Sequence, residues 1–181
     1  MKKPELIGVI VAIAIGIWGS TVHAQDTHAG TVDTAIVVGT FDSRAVATAY
    51  MRSDKFKEII RELKLERMEA KEAGDEERAA ELEAQGSEMQ RHAHLQVFGN
   101  APISNVLKVI EGELAGVAAK AGADVMVSKW RLAYAGPKAN FVDVTDQLVM
   151  LFEPDEETLN VIAQIKDTDP IPAEQLKKHD Q

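Results

Sequence analysis

No cysteine occurs among the 181 residues, which excludes disulfides, thiolate nucleophiles and cysteine-based metal sites. A block of Lys or Arg is missing too. Twenty basic residues stand against 29 acidic ones, for a net charge of −9. With no segregated basic patch, this field repels nucleic acid and anionic lipid. There is no Gly-x-Ser-x-Gly elbow, no His-Glu-x-x-His pair and no glycine loop that would cradle phosphate. The chain is therefore expected to be non-enzymatic, with no catalytic, cofactor or metal residues.

The amino end does carry a pattern. Lys2 and Lys3 precede an apolar run from Leu6 to Trp18, and Val22-His23-Ala24 follows. The run is short of the roughly 20 residues that span a bilayer, so residues 1–24 are expected to be a cleavable secretory signal and the mature protein to lie in an envelope compartment. Cleavage would remove two lysines and one glutamate, leaving the mature chain one unit more negative. Residues 25–33 are expected to be a flexible polar lead-in.

In "AIVVGTFD" the continuous β-branched run Ile36 to Val38 predicts a buried strand, after which Asp42 or Ser43 can cap a helix. Neither proline nor glycine occurs from Ser43 to Ala73, so an unbroken helix is expected there. Phe56, Ile60, Leu63, Arg67, Ala70 and Gly74 alternate spacings of four and three, a heptad seam with Arg67 as its polar exception. Like charges at i,i+4, such as Glu58/Glu62 and Arg67/Lys71, mildly oppose an isolated helix, so their partners are expected on a second helix or another subunit.

Gly74-Asp75 predicts a turn, after which Ala79, Leu82, Gly86, Met89 and Ala93 form a second stripe. The two stripes predict an antiparallel hairpin with arms on the order of 30 to 40 Å long. Its small seam residues predict thin stabilisation. "FGNAP" interrupts at Phe98 to Pro102. A helix then restarts with Ile103, Leu107, Ile110, Leu114 and Val117 on one face, and Gly122 stands at its left-handed stop. A strand pair is expected near Val125–Ser128 and Leu132–Ala135. An extended segment follows from Phe141 to Val144, then a short helix capped by Asp143 or Thr145. Another helix should open with Pro154 and Asp155, and the tail from Asp167 should be irregular.

"TAIVVGTFDSRAV", "KEAGDEERAAELE", "AAKAGADVMVSKWRLAYAG" and "VDVTDQLVMLF" follow one another in an order that resembles the Skp/OmpH-like periplasmic chaperones. The resemblance spans residues 34–152, with arms at about residues 43–98. It implies an α+β fold: a small β body bearing a projecting antiparallel helical hairpin, assembled as a homotrimer. It implies a holdase that grips unfolded outer-membrane or other envelope proteins through many weak contacts, without cofactor. It also makes the Asp143-x-Thr145 element an architectural transition. The arms here are shorter than the family's and acidic, and residues 153–181 are an additional C-terminal helix and Pro-containing tail. Those departures motivate the alternative of an adaptor docking one folded envelope partner through its acidic arms and C-terminal segment.

Met68, Leu82, Met89 and Phe98 are the candidate client contacts, with plain helix packing the reading favoured by the heptad spacing, above all for Leu82 and Met89. Gly74, Gly122, Asp143 and Thr145 are read as structural. His92 and His94, two apart on a helix, point to different sides and cannot share one ion. Trp130 and Tyr134 are read as core or subunit packing. Asp124 and Lys129 join no visible constellation.

Overall fold

A computed structural model describes residues 35–176; the expected signal segment and polar lead-in lie outside the described residues. The chain runs β1 (Val37–Phe41), α1 (Ser43–Arg52), α2 (Asp54–Glu72), α3 (Glu76–Val97), α4 (Ser104–Val109), α5 (Glu111–Ala121), β2 (Val125–Ser128), β3 (Asn140–Asp143), α6 (Thr145–Met150), α7 (Glu156–Lys166) and α8 (Ala173–Leu176). It is a mixed helix-and-strand fold with a small sheet, ordered β2-β1-β3 and wholly parallel.

Register decides which side chains the sheet buries. Val38 lies opposite both Val125 and Phe141, while Gly39 lies opposite Met126 and Val142. Because successive side chains alternate sides, Phe41, Met126 and Val142 meet the helices on one face. Val125 and Phe141 share the other face with Val38, and they stay 47% and 42% exposed.

The strand expected at Leu132–Ala135 does not form. "LAYA" alternates large with small apolar residues rather than apolar with polar, so it does not mark a half-buried strand; Leu132 and Tyr134 are exposed. The chain leaves β2 through a 3-10 turn at Lys129–Arg131 and crosses to the other side of β1 as β3.

The helix expected to be continuous from Ser43 breaks at Ser53, whose backbone is extended (φ −71°, ψ 157°). Its hydroxyl donates to the Tyr50 carbonyl at 2.6 Å and accepts from the Phe56 amide at 3.4 Å, ending one helix and capping the next. A second unexpected break, at Ile110, divides α4 from α5. The predicted face persists through it, with Ile103, Ile110 and Val117 buried.

α1 is the centre of the core. Ser43 through Tyr50 are all buried, and its alanines allow α3, α6 and α7 to approach closely. Val106, Ile110, Val144, Leu148, Phe152 and Ile162 fill the remaining space, each contributing about 1.5–3 kcal/mol by leaving water. The additional helix α7 thus shares this core. It starts at Glu156 rather than at Pro154, with Asp155 accepting from the Thr158 amide at 2.8 Å. The tail expected to be irregular from Asp167 instead returns to α3: the Ile171 amide donates to the Phe98 carbonyl at 2.8 Å, and α8 follows.

Candidate functional site

The helices α2 and α3 are joined by Ala73–Asp75, where Gly74 takes the left-handed φ of 73° that a side chain would resist. Asp75 then caps α3 by accepting from the Arg78 amide. Past this turn the predicted stripes meet. Ala70, Ala79 and Leu82 form a buried cluster of their own with Leu63, separate from the main core. Arg67, the polar seam residue, pairs with Glu83 at 3.6 Å, and Arg78 pairs with Glu66 at 3.2 Å. Charge partners thus come from the second helix, as expected. They also come from i,i+3 neighbours within a helix, such as Lys57 with Asp54 and Arg91 with Glu88, which reading only i,i+4 missed.

Small residues on α3 leave the seam incompletely filled. A groove of about 500 Å³ runs between the helices, lined by Phe56, Ile60, Leu63, Leu82, Gly86 and Ala93. Of the four candidate contacts, Met68 (54%) and Phe98 (46%) are exposed. Met89 is half-buried. Leu82, at 2%, is spent inside the seam with Leu63, Ala70 and Ala79, the plain helix packing that its heptad position favoured, and it offers no contact surface. His94 stacks edgewise on Phe98, 5.7 Å between ring centres. Among the described residues no group of three or more His, Cys, Asp or Glu could hold a metal ion.

A polar knot at the carboxyl ends of β1 and β2 was not legible in advance. Asp42, 1% exposed, accepts from the Arg44 amide at 3.0 Å and from Trp130 Nε1 at 2.9 Å on one oxygen. Its other oxygen takes the Arg44 guanidinium at 3.1 Å and Lys129 Nζ at 3.0 Å. Burial pushes the Asp42 carboxyl up, but the bonds from Arg44, Trp130 and Lys129 outweigh burial and hold it at about 2. Arg44 and Lys129 both lie over the Trp130 ring, at 4.7 and 4.6 Å. The Arg44 guanidinium also donates to the carbonyls of Ile165 (2.9 Å) and Thr168 (2.6 Å) at the end of α7, where the helix dipole favours a cation.

So acidic and so fully bonded a carboxylate makes a poor general base. The knot instead ties β1, β2, α1 and α7 together. Trp130 is thus part of this packing, and Lys129 joins a constellation that spacing could not reveal. Asp124 likewise gains a partner, accepting from the Val37 amide at 2.9 Å. Tyr134 remains 81% exposed.

The Asp143-x-Thr145 element divides its work. Asp143 accepts from the Thr145 amide at 2.8 Å at the start of α6, whereas Thr145 is buried and its hydroxyl accepts from the Asp42 amide at 3.0 Å. Gly122, with φ of 64°, caps α5 as predicted. No helix among the described residues is long and apolar enough to cross a membrane. No family model, curated protein or solved structure matches the chain.

Proposed function

We propose that this chain is a short-armed, acidic, non-enzymatic holdase of the Skp/OmpH-like kind, exported to the periplasm by its amino-terminal signal. In this reading α2 and α3 form a projecting antiparallel arm, and three copies join through the uncovered face of the sheet. Unfolded outer-membrane or other envelope proteins are held between the arms by weak contacts, among them Met68 and Phe98. The observation that carries the reading is the separateness of the seam cluster: Leu63, Ala70, Ala79 and Leu82 pack on one another and not on the strands. Support for assembly comes from the sheet. Parallel sheets are almost always covered on both faces, yet Ile36, Val125 and Phe141 are 66%, 47% and 42% exposed. A second copy is the covering the reading supplies.

Light scattering of a denatured outer-membrane protein diluted into stoichiometric amounts of the chain tests the holdase. Suppressed aggregation is expected; none at any salt concentration rejects it. A solution mass of one protomer would reject the trimer.

The competing adaptor reading would have to use the outer face of α7, where Leu159 is 40% exposed, since its inner face is packed on α1. Recovery of one stoichiometric folded partner from envelope extracts, lost on deleting residues 154–181, would favour it.

A further inference from the structure

The C-terminal segment makes a two-point link that no local pattern predicts. Its near end is fixed to the body, because the buried Arg44 guanidinium binds the carbonyls of Ile165 and Thr168. Its far end meets the root of α3. The last carbonyls of a helix lack partners within it, and the Ile171 amide supplies one to Phe98 at 2.8 Å. Beside it Gly99 is buried. A β-carbon there would stand 2.7 Å from the Leu95 carbonyl oxygen and 3.2 Å from Leu176 Cδ1. Glycine is required there first by the end of α3 itself, through the Leu95 carbonyl, and the returning chain packs tightly on the same spot.

Two further features suit this segment to act as a strap. Pro170 and Pro172 flank Ile171, fixing φ on both sides and disfavouring helix at Asp169 and Ile171, so little entropy is lost on docking. It docks lightly: the Ile171 amide bonds the Phe98 carbonyl and Leu176 touches the elbow after α3, yet Ile171 is still 40% exposed. Such a strap holds without being permanent.

The root of α3 is already held on two sides, by the main core, against which α3 packs through α1 and Val97, and by buried Gln96, which donates to the Pro102 carbonyl at 2.7 Å and to Asn105 Oδ1 at 2.6 Å. We propose that residues 168–176 are a brace for a further side of that root, setting how freely the α2–α3 pair moves above it. The brace rests on the arm reading for its use, since stiff arms and loose arms enclose different clients. Its existence is read without any client.

The lack of native cysteine allows a single dye at Glu77→Cys near the tip. Wild type, a chain ending at Asp169, and Leu176→Asp would be compared by amide exchange and time-resolved anisotropy. The expected result is exchange about tenfold faster at the amides of residues 95–98 and a wider angular range at the tip in both variants. Unchanged exchange and tip motion in both overturn the brace. If the shortened chain fails to fold, Leu176→Asp alone decides. Because neither readout involves a client, a failed holdase assay leaves this result standing, and a failed brace leaves the holdase assay standing.

Discussion

The two halves of the molecule are built on different terms. Around α1, eight consecutive buried residues are packed by α3, α6 and α7, and a low-pKa carboxylate stitches distant segments together. Between α2 and α3, by contrast, Leu82 is the only large side chain that is fully buried. The body is fixed by volume and by long-range polar bonds. The helix pair is fixed by a turn, two caps, a sparse seam with two ion pairs across it, and the packing of the α3 root on α1. Stability should therefore be unevenly distributed, with the pair opening far more readily than the body.

Arg44→Ala should give the largest effect. It leaves Asp42 buried with two fewer donors and takes a donor from the carbonyls of Ile165 and Thr168, costing about 3–5 kcal/mol. A denaturant midpoint unchanged relative to wild type would mean the knot is ornamental.

A matched pair of truncations sharpens the contrast. Leu148→Ala, at 0% exposure, and Leu82→Ala, at 2%, remove similar side chains; a cost of about 2–5 kcal/mol is expected for the first. That loss should appear as a lower global midpoint. Leu82→Ala should mainly speed amide exchange across α2 and α3, leaving α1 protected. Equal global shifts would erase the distinction between the halves.

Acid should act on the body. A carboxyl whose folded pKa is about 2 against an ordinary 3.8 stabilises the fold above its unfolded value, and that contribution fades as pH falls from about 3.8 toward 2. The loss amounts to about 2 kcal/mol. Asp42→Asn should flatten this part of the stability-versus-pH curve in equilibrium denaturation. The smallest effect belongs to the tip: Gly74→Ala forces a side chain into a φ of 73° and should cost about 1 kcal/mol. It should show only in exchange near residues 70–80.

These contrasts also explain what could be read beforehand. The seam, the Gly74 turn and the Gly122 stop all depend on neighbours a few residues away, and periodicity and turn chemistry report such neighbours directly. The Ser53 break is local too, but its signal, Ser followed by Asp inside a run without proline or glycine, was outweighed by the continuous helix-forming residues around it. What stayed hidden was long-range. Trp130 reaches Asp42 across 88 positions. Both neighbours of β1 arise from segments expected to be extended, near Val125–Ser128 and Phe141–Val144, whereas the strand expected at Leu132–Ala135 fails because its large and small apolar residues define no polar face. The tail looked loose because two prolines and acidic residues usually mean so, and only Phe98 and Gly99 show where it docks.

Arg44 has one more consequence, for the order in which the chain matures. Two of its acceptors lie 121 and 124 positions downstream, so α1 lacks part of its enclosure until residues 165–168 have been made. A nascent or prematurely terminated chain would carry a cation with half its ligands missing, in a helix made to be enclosed. Delivery of residues 165–168, rather than formation of α1, is what completes the shell of acceptors around Arg44.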